Sequence, residues 1–343
     1  MARRPTIAQV ASEAGVSVAT VDRVLNGRHR VREETARRVY EAASSIGYHA
    51  AGLIRQRLQQ DLPHYRLGFV LQKPRQFFYQ QFARDIQAAI DAATGFRGSH
   101  VIEFTQSQTP GDLARTLREV AARTQAVAMA GPDHPALTDV VRDLKDRGIP
   151  VFSLLSDFAS GVREGYVGLN NRKVGRTAAW LIARTAKRPG KVAVFVGSHR
   201  FHGHELREIG FRTYFREHAP DFQVLDTLVN LETRQLTHEA TLDLLQRHPD
   251  LAGFYVAGGG MEGAISALSE ERLAGKLVAV CNELTPESRM ALADHIVTAV
   301  IGTPLAPLCR ELIALMVRAI ETGAAEVPGQ TFLPFDIYIS ENI

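Results

Sequence analysis

Five side chains close to the N-terminus have the types and the spacing needed to contact the bases of nucleic acid. A short helix that begins at Ser17 and buries Val21, Val24 and Leu25 leaves these five on its outer face: Ser17, Val18, Ala19, Thr20 and Arg23. Arginine can donate two hydrogen bonds to guanine in the major groove, and small apolar side chains contact the methyl group of thymine. We therefore interpret Arg23 as the main base-contacting residue, with Val18 or Ala19 against a thymine methyl group.

Neighbouring helices must hold this outer face against the DNA. A capping-box pair, Thr6 and Gln9, predicts the start of a preceding helix, and Gly15 predicts its end. A third helix is predicted over residues 33–46. Two short helices joined by a tight turn form a helix-turn-helix, whose second helix enters the major groove. Further candidate DNA contacts are Thr6, Asn26, Arg28, Arg30 and Arg32. Most of these residues, like Ser17 and Thr20, suit contacts with phosphate groups.

The distribution of charge agrees with a DNA-binding head. Residues 1–60 contain ten arginines, no lysine and five carboxylates, which gives a net charge of +5. The whole chain carries only +3, so the remaining residues sum to −2. A basic head on a nearly neutral body predicts a polyanion contact made by the head alone. The alternative is a basic helical bundle that docks a protein.

Composition restricts the remaining classes of protein. The chain has 343 residues, 45% of them hydrophobic, which predicts two or three globular domains. No run of eighteen apolar residues occurs and the N-terminus lacks an apolar signal segment, so we expect a soluble, cytoplasmic protein without a membrane partner. Only two cysteines are present, without a C-x-x-C pair, so neither a disulfide framework nor a structural zinc site is expected.

At this point the sequence resembles the lactose-repressor family (LacI/GalR). The resemblance is carried by residues 6–27, T-I-A-Q-V-A-S-E-A-G-V-S-V-A-T-V-D-R-V-L-N-G, and then by residues 31–39 and 46–48. It continues more weakly through the rest of the chain. The resemblance implies a repressor that binds a near-palindromic operator as a homodimer, or as a tetramer. It also implies a core similar to periplasmic sugar-binding proteins.

Two positions depart from the family pattern. Asp22 stands where the family usually has Ser, and a carboxylate beside phosphates is repulsive unless it accepts from a cytosine amino group or holds Arg23 or Arg28. The hinge helix of the family inserts a leucine into the minor groove, whereas residues 50–58 of this chain are A-A-G-L-I-R-Q-R-L. Without a gap the inserted position falls on Arg57, and Leu58 follows it. Either residue is a candidate for the inserted side chain.

The segments after residue 65 alternate between strand and helix patterns. Strands are predicted at 67–71, 100–104, 126–130 and 151–155, and again at 191–196, 223–228, 253–257 and 277–281, with helices between them and a long helix at 305–322. We therefore expect a small all-α helix-turn-helix head followed by an α/β core of two doubly wound parallel-sheet subdomains, periplasmic binding protein-like. The expected divisions are 1–48 (head), 49–64 (hinge), 65–162 with 303–325 (first subdomain), and 163–302 with 326–343 (second subdomain).

Ligands of open parallel sheets bind beyond the carboxyl ends of the strands. That rule and the family resemblance select the same candidate residues: Phe78, Tyr79, Asp133, Ser156, Asp157, Asn171, Arg207, Asn282 and Glu283. Aromatic rings suit the apolar face of a sugar, while Asp, Asn and Arg form paired hydrogen bonds with hydroxyl groups. We expect a sugar, polyol or sugar derivative that switches the protein between two states. Whether it releases the protein from DNA or promotes binding is left open.

Two further patterns suggest other chemistry. Residues 258–263, G-G-G-M-E-G, match the dinucleotide fingerprint G-x-G-x-x-G, which would suit a nicotinamide-dependent oxidoreductase. The same amides would also accept a phosphate or carboxylate of a ligand. His199, His202 and His204 invite a metal site because His-x-His spacing can bind a metal ion, but we expect this segment to line the effector cleft instead. No nucleophile elbow occurs. We therefore expect neither an enzyme nor a cofactor or metal; the alternative is a solute-binding protein whose head docks a protein.

Overall fold

The computed structural model describes residues 5–26, 31–58, 62–105, 107–323, 325 and 327–343, apart from the side chains of residues 33 and 55–58. The chain divides into two compact units. One comprises residues 1–65 with 93–99 and contains the helical head, and the other comprises residues 66–92 with 100–343. The second unit, called the core below, contains the candidate ligand site.

The head consists of four helices around one small apolar centre. They are α1 (Ile7–Ala14), α2 (Val18–Asn26), α3 (Glu33–Ser45) and α4 (Ala51–Leu58). Thr6 and Gln9 form the expected capping box, and Gly15 ends α1 in the left-handed conformation at φ 62°. Val10, Val21 and Val39 from the first three helices are fully buried, and Ile54 of α4 joins them.

In chain order the remaining elements are β1 (His64–Gln72), α5 (Phe77–Ala92), β2 (Arg97–Thr105), α6 (Pro110–Ala121), β3 (Ala126–Met129), α7 (Pro135–Asp146), β4 (Val151–Leu154), β5 (Gly165–Leu169), α8 (Asn171–Thr185), β6 (Lys191–Val196), α9 (His202–His218), β7 (Gln223–Val224), β8 (Leu228–Val229), α10 (Arg234–Arg247), β9 (Leu251–Val256), α11 (Met261–Glu270), β10 (Val278–Asn282), α12 (Pro286–Ala293), β11 (Ala299–Gly302), α13 (Leu305–Thr322), β12 (Gly329–Leu333) and β13 (Asp336–Tyr338). The alternation of strand and helix was predicted from the sequence.

The first lobe is built on a six-stranded sheet with the order β12-β5-β4-β3-β1-β2. Its central strands β3 and β4 are buried along their whole length, as expected where helices cover both faces of a parallel sheet. Helix α13 packs against α5 and β3, so it returns to this lobe. Strands β5 and β12 pair in parallel here, and β5 pairs with β4. The expected subdomain boundaries therefore need correction, because both strands had been assigned to the second subdomain.

The second lobe is built on a sheet with the order β13-β11-β10-β9-β6-β7, and β8 also pairs with β6. The single strand expected over residues 223–228 is two short strands, β7 and β8. Strand β13 is antiparallel to β11, while β9, β10 and β11 run parallel. A large apolar cluster lies between this sheet and helices α8 and α9.

The two lobes are joined by several segments. Within the described ranges the chain passes between them three times: from β5 into α8, from β11 into α13, and from β12 into β13. Parallel strands place their carboxyl ends along one edge of each sheet, and the loops that follow these ends carry the cleft residues. None of the described helices combines the length and the apolarity required to cross a membrane.

Candidate functional site

Helix α2 separates buried from exposed side chains as the sequence predicts. Val21, Val24 and Leu25 are buried, whereas Val18 is 51% exposed and Arg23 lies fully on the outer face with Ala19. A half-exposed valine offers an apolar surface against which a thymine methyl group can pack. The arrangement leaves a small-residue face around one arginine, which suits insertion into a groove.

The start of α2 is organised by two hydroxyl groups. The Thr20 backbone N–H donates to Ser17 Oγ at 3.2 Å, and the two hydroxyl oxygens lie 2.9 Å apart. Ser17 therefore acts as the N-cap of α2, and it satisfies an otherwise unpaired helix donor. Thr6 performs the same task for α1. The roles of these residues in DNA contact stay predictions.

Asp22 has a partner within its own helix. Its Oδ1 accepts a hydrogen bond from Asn26 Nδ2 at 2.7 Å, across one helical turn. Asn26 therefore orients the carboxylate along the helix, a contact the sequence reasoning did not consider. Arg32 is exposed. Arg28 and Arg30 lie outside the described residues, and so do the side chains of Arg57 and Leu58, although the backbone there is helical.

The core contains a cleft between its two lobes at the carboxyl ends of the strands. It encloses about 840 Å³ of empty space, including the solvent at its open side. Six of the nine predicted ligand residues line it: Phe78, Tyr79, Ser156, Arg207, Asn282 and Glu283. Both lobes contribute, so a molecule held here touches both. Across the cleft, the Gly203 N–H donates to Ser156 Oγ at 3.0 Å.

Aromatic rings at the start of α5 form the apolar wall of the cleft. The rings of Phe78 and Tyr79 have centroids 5.2 Å apart in an edge-on arrangement, and Phe77 also lines the cleft. Burial raises the pKa of the Tyr79 hydroxyl, with Glu232 and Glu283 adding to the effect. The phenol therefore remains protonated and can donate a hydrogen bond. Such a wall suits the apolar face of a sugar ring.

Arg207 is the principal cation of the cleft and is rigidly held. Only 7% of its surface is exposed. Its Nε donates to Asn171 Oδ1 at 2.7 Å, and Nη1 donates to the Ala257 carbonyl at 2.6 Å. Nη2 has no hydrogen-bond partner within the part of the chain that the structure describes. Because Nε and Nη1 are held by the protein, Nη2 is preorganised for a ligand acceptor.

Asn171 does not line the cleft; it positions Arg207 instead. Its Nδ2 donates to the Leu155 carbonyl at 3.0 Å and to the Tyr166 hydroxyl at 3.2 Å. All three polar contacts of this amide are within the protein, so we revise the prediction of direct ligand contact.

Asn282 and Glu283 line the cleft, but most of their polar atoms bind the second lobe. Asn282 Oδ1 accepts from the Tyr255 hydroxyl at 2.5 Å, and its Nδ2 donates to the Ile301 carbonyl. The Glu283 carboxyl group accepts from the backbone N–H and the hydroxyl of Thr303, at 2.9 and 2.7 Å. Burial raises the pKa of Glu283. Glu283 thus binds the segment that crosses from β11 to α13.

Asp133 and Asp157 do not line the cleft, and their predicted ligand contacts need correction. The Asp133 carboxylate accepts from the Ala159 N–H at 3.1 Å. Asp157 is paired with buried Arg163, with distances of 2.5 and 2.7 Å, and it also accepts from Ser153 at 2.7 Å. The strand-end rule places these residues near the cleft, but hydrogen bonds within the first lobe hold their carboxylates.

Sequence reasoning missed a charged cluster beside the cleft. Lys73 Nζ lies 2.5 Å from Glu232 Oε2, so the pair joins the two lobes. Glu232 Oε1 also lies 3.4 Å from His204 Nε2. Lys73 directly follows β1, so the strand-end rule would have found it. Glu232 follows the two-residue strand β8, for which the sequence shows no clear pattern.

The histidine-rich segment forms pairs with acidic residues. His199 lies 3.3 Å from Glu208, and His202 lies 3.1 Å from Glu205. In the described part of the chain, no group of three or more His, Cys, Asp or Glu side chains is arranged to hold a metal ion.

Comparison with known proteins identifies the family. The sequence model for bacterial regulatory proteins of the lacI family matches residues 6–50, and the model for a periplasmic binding protein domain matches residues 67–325. The chain belongs to the LacI family of bacterial transcription regulators. The family resemblance and the fold class predicted from the sequence are thereby confirmed.

Curated relatives agree with this assignment. The transcriptional regulator CelR of Thermobifida fusca is 25% identical over 99% of this chain and 98% of its own. An uncharacterized HTH-type transcriptional regulator of Streptomyces limosus is 27% identical over 60% of this chain. The chain spans 57% of the length of that Streptomyces relative.

The core resembles solved solute-binding proteins. One from Burkholderia graminis, in complex with D-arabinose, has a TM-score of 0.74 at 18% identity, covering 83% of this chain and 98% of that one. At this level of identity the likeness establishes the two-lobed fold.

Proposed function

We propose that this LacI-family member is an effector-responsive repressor that binds a near-palindromic operator as a homodimer, or as a tetramer, in the cytoplasm. The observation that carries the proposal is the presence in one chain of an exposed recognition face on α2 and a cleft lined by both lobes of the core. The effector is a small hydroxylated molecule, a sugar, polyol or sugar derivative. The sugar-bound state of the Burkholderia neighbour supports this class.

The cleft supports a two-state switch. Phe78 and Ser156 belong to the first lobe and Arg207 to the second, so an effector that contacts all three is sensitive to the angle between the lobes. It shifts the equilibrium only if it binds one angle more tightly than the other. We expect the preorganised Nη2 of Arg207 to provide such a difference, because its distance from a ligand held against Phe78 depends on the angle between the lobes.

We propose no enzymatic activity for the chain. The family consists of transcription regulators. The loop of residues 258–263 would need free amides to bind a pyrophosphate. Instead, the Gly259 N–H donates to Glu232 Oε1 at 3.1 Å, so a carboxylate of the protein already occupies this place. That contact favours a binding cleft over a nicotinamide site.

A salt-dependent binding assay tests the DNA-binding half of the proposal. Fluorescence anisotropy with the DNA upstream of the chain's own gene should show binding that weakens as salt rises, because phosphate contacts release counterions. Absence of binding at low salt would favour the alternative in which the basic head docks a protein. A thermal-shift screen with sugars and polyols tests the effector half, since a ligand of the folded state raises the melting temperature.

A further inference from the structure

The carboxylate of Glu232 occupies a place in the cleft that is built to receive an anion. Three donors or cations surround it: Lys73 Nζ at 2.5 Å, the Gly259 N–H at 3.1 Å and His204 Nε2 at 3.4 Å. The Gly259 N–H lies just before α11, where unpaired helix amides attract negative charge. We call this group of Lys73, Gly259 and His204 the anion seat.

Glycines keep space for the Glu232 side chain. A Cβ atom at Gly197 would lie 2.9 Å from Glu232 Cδ and nearer still to its Cγ, and one at Gly259 would lie 3.0 Å from Glu232 Cβ. At Gly258 a Cβ would lie 3.0 Å from Glu232 Oε1. Gly197, Gly258 and Gly259 therefore leave room for an internal carboxylate. Gly260 and Gly263, the other glycines of the fingerprint match, lie instead against Thr237 and the Arg234 backbone.

The loops that bring Glu232 and Lys73 together contain backbone conformations that residues other than glycine normally avoid. Leu231 and Glu232 adopt left-handed conformations at φ 49° and 52°, and Lys73 does so at φ 45°. Such conformations cost free energy in residues other than glycine and persist only where surrounding contacts impose them. Asn230 supplies one such contact, since its Oδ1 accepts from the Glu232 N–H at 2.9 Å. The loop therefore delivers the carboxylate to the seat.

The anion seat is already occupied by the ionised carboxylate of Glu232. Burial acts to raise the pKa of Glu232, but His204, Lys73 and the Gly259 N–H lower it to about 2. Burial lowers the pKa of His204 to about 4, although Glu232 opposes this shift. Near neutral pH the seat therefore contains one negative and one positive side chain. Glu262 and Glu283 also line the cleft, while Arg207 is its other cation.

We propose that Glu232 is a specificity-determining residue that restricts the effector to neutral polyhydroxylated molecules and excludes sugar acids and sugar phosphates. A carboxylate or phosphate on the ligand would lie near the Glu232 carboxylate, which already binds Lys73 and the Gly259 N–H. Two negative charges brought together in a binding site repel each other strongly. Hydroxyl groups donate and accept, so a neutral ligand can contact the pair without separating it. The inference rests on the proposed function, whose effector class it narrows.

The test compares matched ligands on the full-length protein and on Glu232→Gln. The ligands are aldoses, their aldonates and inorganic phosphate, and binding is measured by isothermal titration calorimetry. The wild type should bind a neutral aldose, and bind its aldonate weakly. Glutamine keeps the shape but removes the charge, so the variant should shift the aldonate-to-aldose preference by about tenfold or more and should gain phosphate binding.

Two controls locate the effect. Glu262→Gln removes a different cleft carboxylate and should not produce phosphate binding. Lys73→Met added to Glu232→Gln should abolish the gained binding, because the seat then lacks its cation. The folded state of each variant is checked by its circular dichroism spectrum and melting curve.

Several outcomes overturn the inference, and they differ from failure of the proposed function. Wild-type binding of an aldonate as tightly as its aldose contradicts it whether or not any variant folds. So does an unchanged preference in folded Glu232→Gln without phosphate binding. If the wild type binds no sugar at all, the proposed effector class fails. Phosphate binding by Glu232→Gln then still decides whether the seat accepts anions.

Discussion

Two buried ion pairs in the core have opposite surroundings. Asp157 and Arg163 lie within the first lobe, where Arg163 also donates to the Gly329 carbonyl at 2.9 Å and so ties the loop before β5 to β12. Lys73 and Glu232 lie on different lobes, and both have left-handed backbones. The first pair lies within one lobe, whereas the second joins the two lobes. Similar chemistry therefore ties two segments of one lobe together in one place and lines the candidate ligand cleft in the other.

The largest expected effect comes from the pair within one lobe. Asp157→Asn leaves the Arg163 guanidinium buried without its counter-charge, and we expect a loss of about 3–5 kcal/mol in the free energy of unfolding, measured by urea titration. Asp139→Asn is the matched control, because its partner Arg142 lies on an exposed helix surface and such pairs contribute about 1 kcal/mol or less. Equal losses in the two variants would contradict the assigned role of Asp157.

The pair across the cleft should be less costly to break. Lys73→Met leaves Glu232 with the Gly259 N–H and with partial access to solvent, so we expect a loss of about 2 kcal/mol in unfolding free energy. The double variant Lys73→Met with Glu232→Gln should recover part of that loss, since no buried charge is then left unpaired. A double-mutant cycle without coupling would show that the two residues do not act as a pair.

The head provides a third arrangement, in which the arginines Arg23 and Arg32 are exposed to solvent. Arg23→Ala should cost about 1–3 kcal/mol on the operator and relax specificity at one position, while leaving binding to random DNA nearly unchanged. Arg32→Ala, also exposed, should weaken binding to both DNAs alike. Anisotropy titrations with the two DNAs distinguish these outcomes, and equal losses for both variants on both DNAs would remove the assigned roles.

The smallest effect concerns pH and separates the cleft pair from the enclosed pair. His204 has a folded pKa of about 4, below its ordinary 6.5, because of burial. Between these values the unfolded chain binds more protons, so stability falls as pH decreases from 6.5 towards 4. Between about pH 7 and about pH 5.5 this amounts to about 1 kcal/mol. His204→Gln should flatten the slope of unfolding free energy in this window, whereas Asp157→Asn should leave it unchanged.

The sequence predicted most of the head because its signals are local. Thr6 and Gln9 are three residues apart, and Val21 and Leu25 are one turn apart on one helix face, so spacing alone decides their roles. Phe78 and Tyr79 could be placed at the cleft from the sequence because they follow a buried strand. Asp157 was misjudged because its partners include Arg163 and also Gln330, which lies in β12 and is distant in sequence. Glu232 was missed because its role depends on Lys73 from the other lobe.

The three segments that cross between the lobes restrict how an effector can change the relative position of the lobes. Two lobes joined by three segments can move relative to each other in few ways. We expect that opening and closing the cleft costs much less free energy than twisting or sliding one lobe against the other. Glu283 adds to this constraint by binding Thr303 in one of the crossings. In the proposed switch, the cleft distinguishes many molecules, but the rest of the protein responds only to the angle between the two lobes. Two effectors of different structure that stabilise the same angle would be indistinguishable at the operator.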